Sequence, residues 1–265
     1  MDEAPVCYRH SDRRTRLRCS VCNRSICPDC SYDASVGQRC PECHKSVGTT
    51  QVRRARDLNA LGGAPFTRGI LIAIVAGYLA QIVVVGFESS LIQTATGIDD
   101  NELWRLVTTA FLHGSLFHLA LNGYALWILG PPIERAVGPA SFVTLWLASV
   151  IGGGVTVHLI GGYFAVVGAS GALFGLFGYF LVVGWRQRKT QAGRGLLRQF
   201  GFLLAINAAA PLFFPIISWE AHLGGLITGV AVTAMWAAWG GRTETAKSII
   251  AASVGLALLA LVAIL

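Results

Sequence analysis

Seven apolar runs divide most of the chain, near 68–87, 115–133, 139–160, 168–186, 199–216, 219–239 and 246–265. Each is close to the length of about 20 residues that a helix needs to cross a hydrocarbon core. Lipid admits only structures that satisfy their own backbone hydrogen bonds, so the runs predict an all-α polytopic membrane protein. The composition agrees, with 54% hydrophobic residues, 13% charged residues and a mean hydropathy of +0.57. All seven cysteines lie between Cys7 and Cys43, which sets a thiol-rich head apart from a cysteine-free body. The head is basic: residues 1–56 carry eleven Lys/Arg against six Asp/Glu. It contains no apolar signal core, so no cleaved signal peptide is expected.

Charge sets the expected direction of the spans. The loop after the fourth run holds Arg186, Arg188, Lys189, Arg194 and Arg198, which the positive-inside rule assigns to the cytoplasm. Counting back places the amino terminus inside. Arg53, Arg54, Arg56 and Arg68 before the first span agree, as do Arg242 and Lys247 before the last. The outer side then receives a structured loop from Glu88 to Ser115 with Asp99, Asp100 and Glu102, and the carboxyl terminus lies outside. An integral protein of the plasma membrane is expected.

Polar groups inside spans are costly and mark interior faces or water-filled cavities. Here they are few. His118 and Asn122 are four residues apart at the start of the second span, Ser170 opens the fourth within GASG, and His222 begins the sixth within WEAHLGG. All three spans run from outside to inside, so at about 1.5 Å per residue the four side chains share a depth of roughly 5 to 12 Å below the outer surface. Gly171 and Gly175 form one small-residue line and Ala221, Gly225 and Gly229 another, each permitting close helix approach in a membrane.

A serine hydroxyl is a weak nucleophile until a base accepts its proton. His222 is the candidate base, and His118, Asn122 and the Ser170 backbone N–H are candidate donors to a tetrahedral oxyanion. No intramembrane aspartate is available to orient the imidazole, so a Ser/His dyad is expected. The bland alternative, packing alone for the serine and an interhelical bond for the histidine, stays open on spacing.

In order along the chain stand Glu102-Leu-Trp104-Arg105, His118-Leu-Ala-Leu-Asn122, Gly168-Ala-Ser170-Gly171 and Ala221-His222-Leu-Gly-Gly225 continuing to Gly229. With these motifs the sequence resembles the rhomboid intramembrane serine proteases over roughly 69–265. The resemblance implies a helical bundle of six spans plus a carboxyl-terminal seventh. It further implies a Ser170 nucleophile and His222 base, oxyanion stabilisation by His118, Asn122 and Ser170, and substrates that are single-span membrane proteins cut where their helix unwinds. It places Phe174 where an aromatic ring packs on the catalytic histidine, and an intact dyad argues against an inactive relative. Trp104 and Arg105 are expected to anchor the first loop. Blander roles fall to His113 (a hydrogen bond within that loop), His158 (interfacial), and Glu134 with Arg135 (a salt bridge or a helix end).

The head reads Cys7/His10, Cys19/Cys22, Cys27/Cys30 and Cys40/Cys43, four pairs with the same spacing. Eight ligands suit two tetrahedral zinc ions, and a cytoplasmic head disfavours disulfides. The short gap between Cys22 and Cys27 suits a cross-brace, with sequential pairing left open and His44 available as a substitute ligand. The pattern resembles B-box or RING-like modules. Zinc is structural there, and the dyad needs no cofactor.

The expected organisation is a zinc-binding domain at 1–46, a basic linker at 47–67, a catalytic core of six helices at 68–240 and an added helix at 241–265. Expected partners are transmembrane substrates, the bilayer and a cytoplasmic protein bound by the head. Nucleic acid is disfavoured because no reader motif is present. The competing function is a non-proteolytic adapter or chaperone of the same fold; a transporter is disfavoured by the lack of an inverted repeat.

Overall fold

The computed structural model describes residues 4–33, 38–46, 63–161, 165–214, 217–239 and 243–264. The chain forms two compact units, Met1–Asn59 and Ala60–Leu265. Most of the expected linker, including its RRAR and GTTQ stretches, lies outside the described residues, as does Arg242.

In the head, strands β1 (Val6–Cys7) and β2 (His10–Arg14) form an antiparallel hairpin. A single 3-10 turn at Pro28–Cys30 precedes a second hairpin of β3 (Tyr32–Asp33) and β4 (Gln38–Arg39), and α1 (Pro41–Ser46) follows. Its buried apolar cluster consists of Ile26 and six of the cysteines, Cys7, Cys19, Cys27, Cys30, Cys40 and Cys43. Thr15 ties the middle of the unit by donating to the Ile26 carbonyl at 2.8 Å. One isoleucine and a set of thiols form too small a core to hold so short a chain.

The second unit is helical. It runs through α2 (Pro65–Val83), the short loop helices α3 (Phe87–Leu91), α4 (Ala95–Asp99) and α5 (Arg105–Thr108), then α6 (Leu116–Val137), α7 (Pro139–Ile160), α8 (Ser170–Arg186), α9 (Gln191–Phe213), α10 (Trp219–Ala238) and α11 (Glu244–Ile264). By length and apolarity α2, α7, α9, α10 and α11 can each cross a membrane. Helix α8 is apolar but only 17 residues long, and the 22-residue α6 carries His118, Asn122, Glu134 and Arg135. The seven expected spans thus correspond to seven helices of an integral membrane protein, five of which pass that test unaided.

Helix α7 is the centre, packed against α8, α10 and α11. Its run Gly152-Gly153-Gly154 faces a different neighbour at each step. A Cβ on Gly152 would collide with Thr228, one on Gly153 would lie 2.8 Å from the Ala221 carbonyl, and one on Gly154 would lie 2.8 Å from Gln93 and Leu106. Helix α9 is peripheral: it docks on α8 through Phe200, stacked on Phe180 at 4.4 Å and tilted against Phe177 at 5.6 Å. We call the end at which α6, α8 and α10 begin the upper end.

Two helix starts depart from the apolar runs. Helix α9 begins at Gln191 rather than 199 because the Thr190 hydroxyl caps it, accepting from Gly193 N at 3.0 Å; the basic loop is therefore shorter, and Arg194 and Arg198 are helical. Helix α2 begins at Pro65 rather than 68. Its N-cap position is Ala64, which offers no side-chain cap. Buried Glu134, at the far end of α6, supplies one, accepting from Phe66 N at 3.0 Å, Thr67 N at 2.8 Å and the Thr67 hydroxyl at 2.6 Å. The Glu134 carboxylate thus serves the start of α2 and not the end of its own helix. A carboxylate there also meets the positive end of the helix dipole. Glu134→Ala is expected to cost about 3 kcal/mol, the scale of a charged hydrogen-bond network left unmade. Unfolding in mixed micelles measures this, and a loss below about 1 kcal/mol would reject the cap as a main tie between α2 and α6.

Candidate active site

The upper end of the bundle gathers the polar residues of the spans. His118 and Asn122 lie in the first two turns of α6, Ser170 is the first residue of α8, and His222 lies in the first turn of α10. Helix α6 starts there because the Ser115 hydroxyl accepts from His118 N at 3.1 Å, and α10 because Ser218 accepts from Ala221 N at 3.3 Å.

Backbone contact joins α8 to α10. A Cβ on Gly225 would collide with the Gly171 carbonyl, one on Gly229 with Gly175, and one on Gly171 would lie 3.3 Å from the Ala221 carbonyl. Ser170 precedes Gly171 and His222 follows Ala221, so the approach of the two backbones carries both side chains to one level. The His222 ring then stacks on Phe174, one turn past Ser170, with centroids 4.0 Å apart and planes 10° from parallel. Among the described residues no hydrogen bond joins Ser170 to His222.

His118 and Asn122 lie against the backbone before Ser170. Gly168 has φ +119, a conformation that favours glycine, and a Cβ built there would lie 2.6 Å from His118 Cε1, 2.8 Å from His118 Nε2 and 3.8 Å from Asn122 Nδ2. The His118 ring and the Asn122 amide therefore close on the backbone that leads into Ser170. Asn122 Nδ2 donates to the His118 carbonyl at 3.0 Å, which fixes the amide along its own helix. Gly225→Ala is expected to wedge α10 away from α8 and lower any Ser170-dependent rate by about 100-fold, since small displacements of reacting groups carry that scale of penalty. Gly201→Ala, in open space on α9, is the control. Equal rates for the two variants would reject the close approach as a requirement.

The first loop holds this region from above. The Arg105 guanidinium donates to the Ser89 and Ile92 carbonyls, each at 2.8 Å, and pairs with Glu102. Trp104 is exposed. The His113 ring is fully buried and packs edge-on against His118 with centroids 5.1 Å apart. Its backbone N–H donates to Gln81 on α2 at 3.0 Å. His158 lies at the upper end of α7, its Nε2 3.8 Å from Asp99.

In the head, Cys7, His10, Cys27 and Cys30 form one cluster and Cys19, Cys22, Cys40 and Cys43 another, with all ligand atoms of a cluster within 4.8 Å of each other. The first and third pairs thus meet, as do the second and fourth, which is the cross-brace. His10 Nδ1 lies 3.8, 3.3 and 3.4 Å from the sulfurs of Cys7, Cys27 and Cys30, and Cys22 Sγ lies 3.8 Å from Cys40 Sγ. These are spacings expected at the corners of a tetrahedron whose centre is about 2.3 Å from sulfur and about 2.1 Å from nitrogen. No disulfide forms among the described residues.

The thiol chemistry fits a cation too. Burial opposes ionisation of Cys7 and Cys19, yet the backbone N–H groups around them prevail and pull each down to about 6. Burial and the neighbouring Cys27 and Cys7 thiols push Cys30 up to about 11, and Cys40 followed by burial pushes Cys43 up to about 12. In each cluster one thiol ionises readily and another resists further negative charge, a conflict that a divalent metal ion relieves. His44 is not part of either cluster; it stacks on Tyr32 at 4.5 Å.

The rhomboid-domain family profile matches residues 100–239, more than half of the chain and all of the α6, α8 and α10 residues just described. The chain belongs to the rhomboid family. This rhomboid is 35% identical over 167 residues to the rhomboid protease GluP of Bacillus subtilis, covering 60% of this chain and 32% of that protein. It is 32% identical over 176 residues to the rhomboid protease GlpG of Klebsiella pneumoniae, covering 63% and 62%, and 33% identical over 134 residues to a putative rhomboid protease YdcA of Bacillus subtilis, covering 50% and 67%. The alignments with GluP and GlpG thus span between about a third and three fifths of those relatives' lengths. Helices α2 and α11 and the cysteine-rich head of this rhomboid lie outside the profile match.

Proposed function

We propose that this rhomboid is an intramembrane serine endopeptidase that cuts single-span membrane proteins through a Ser170/His222 dyad. The observation that carries the proposal is the His222 ring seated on Phe174 one turn from Ser170, with the His118 and Asn122 side chains against Gly168, two residues before Ser170. The Ser170 oxygen attacks the scissile carbonyl while His222 accepts its proton. The oxyanion receives hydrogen bonds from the Ser170 N–H, Asn122 Nδ2 and the His118 ring. His222 then returns the proton to the leaving amine, and water releases the acyl group by the same route. The Ser170–His222 bond forms as substrate settles, since catalytic hydrogen bonds tighten in the Michaelis complex.

Substrate reaches the site from the lipid. The upper face of α6 exposes Leu116, Phe117, Leu121 and Tyr124, and α9 exposes Phe202 and Ile206 on the other flank of α8. A transmembrane helix entering there meets apolar surface until its unwound carbonyl reaches Ser170.

The head binds two structural zinc ions in the cross-braced clusters, zinc being the ion that suits tetrahedral sets of three cysteines with one histidine, or of four cysteines. The basic loop after α8 supports a topology with the head in the cytoplasm and the upper end of the bundle and the carboxyl terminus outside, in a protein of the plasma membrane. A protein partner held by the head would recruit or regulate the protease. The deciding test compares wild type with Ser170→Ala on a single-span substrate in proteoliposomes. Cleavage by wild type alone supports the protease, whereas equal processing, or none by either across several substrates, favours a rhomboid-fold adapter that only binds helices.

A further inference from the structure

Helix α11 lies outside the part of the chain that matches the rhomboid-domain profile, yet it is tied to the core at both ends. At the lower end Glu244 accepts from Ala140 N at 2.7 Å, and Ser141 donates to the Glu244 carbonyl at 3.0 Å. This caps α7, whose own N-cap position is Gly138, without a side chain. Midway, Gly255 lets α11 lie against Ala148 and Ile151. At the upper end Val262, 6% exposed, joins an apolar cluster separate from the main core: Ile98 of α4, Leu106 of α5, and Ile151 and Val155 of α7, with Leu258 and Leu259 packed alongside.

That cluster seats the first loop, and the first loop holds the strand that leads into Ser170. Leu106 follows Arg105, which clasps the Ser89 and Ile92 carbonyls. On either side of this clasp, Gln93 O accepts from Val166 N at 3.0 Å and Thr109 O accepts from Gly168 N at 3.0 Å, while the Thr109 hydroxyl donates to the Val166 carbonyl. Gly168 is the residue against which the His118 ring and the Asn122 amide close. A contiguous path of packing and backbone bonds therefore runs from Val262 to the backbone two residues before Ser170.

We infer that α11 is a positioning element of the active site: Val262 and Leu258 fix the height of α4 and α5, and through Gln93 and Thr109 the placement of 166–168 against His118 and Asn122. The inference rests on Ser170 being the nucleophile. Deleting methyl groups from the seat leaves a gap that the loop relaxes into, and a shift of a fraction of an ångström at Gly168 misaligns donors that act only on the oxyanion. Turnover falls while substrate affinity, set on the faces of α6 and α9, does not.

The test uses the full-length protein in nanodiscs, as wild type, Val262→Ala, the double variant Leu258→Ala/Val262→Ala, the conservative Val262→Ile, and Leu256→Ala on the exposed face of α11. Turnover, KM and hydrogen exchange are read together. The double variant should lower kcat about tenfold with KM held within about twofold. Exchange at 95–108 and 165–169 should rise while that of α8 and α10 stays at the wild-type level. Val262→Ile and Leu256→Ala should match wild type. The inference is overturned if the double variant keeps wild-type turnover and wild-type exchange at 95–108, or if exchange rises equally throughout α7, α8 and α10, which would make α11 a general stabiliser. If wild type itself cleaves nothing, the protease proposal fails, and exchange at 165–169 still decides whether α11 controls that strand.

Discussion

Ser170→Ala is expected to lower cleavage of a single-span substrate by on the order of 10⁴ to 10⁶-fold, the scale on which a nucleophile is lost from a serine protease. His222→Ala should fall in the same range. The double variant should be no worse than either alone, because nucleophile and base act as one unit and their effects do not add. The protein should remain folded in each case: Ser170 opens α8 without capping it, and the close approach of α8 and α10 is made by Gly171, Gly175, Gly225 and Gly229. Steady-state cleavage in proteoliposomes measures the rates. Additive losses in the double variant would mean that the two residues do separate work.

Removing metal is expected to unfold the head and leave the membrane unit intact. The buried apolar set of the head, among the described residues, is Ile26 and six cysteines, so the free energy of metal binding, on the order of 10 kcal/mol per structural zinc ion, is in effect its folding free energy. Treating the full-length protein with a strong chelator should release two equivalents of zinc and bring amide exchange across residues 4–46 close to that of an unfolded chain. Exchange in α7 and α8 should not change. Cys30→Ser should release the ion of the Cys7/His10/Cys27 cluster and halve the bound zinc. A head that stays protected after chelation, or one that never holds two equivalents, would contradict metal-dependent folding.

The proposed dyad was legible in the sequence because lipid penalises polar side chains: Ser170, His222, His118 and Asn122 stand out from the apolar runs around them, and the alternation of spans gives them one expected depth. The cysteine pairs were legible for a similar reason, since eight ligands at one spacing have few uses. The short gap between Cys22 and Cys27 already suited a cross-brace, and the fold was needed to choose it over sequential pairing. Glu134 and Glu244 were missed as caps. A signal was present: Pro65 and Pro139 each open a helix whose preceding residue, Ala64 or Gly138, has no capping side chain, so each helix start lacked an acceptor that a distant carboxylate supplies. What no local pattern could reveal was the partner, a residue 67 positions away for Thr67 and 104 for Ala140. Gln93 and Thr109 were missed because their bonds to 166–168 run mostly through the backbone, which leaves no side-chain pattern to read.

The most direct measurement of the central claim is covalent labelling of the membrane-reconstituted protein by a serine-reactive phosphonate probe, with the modified peptide identified by mass spectrometry. One serine, Ser170, is expected to be labelled in the wild type, and His222→Ala is expected to abolish the labelling although the protein stays folded. Labelling that persists in His222→Ala, or that falls on another serine, would contradict a Ser170/His222 dyad.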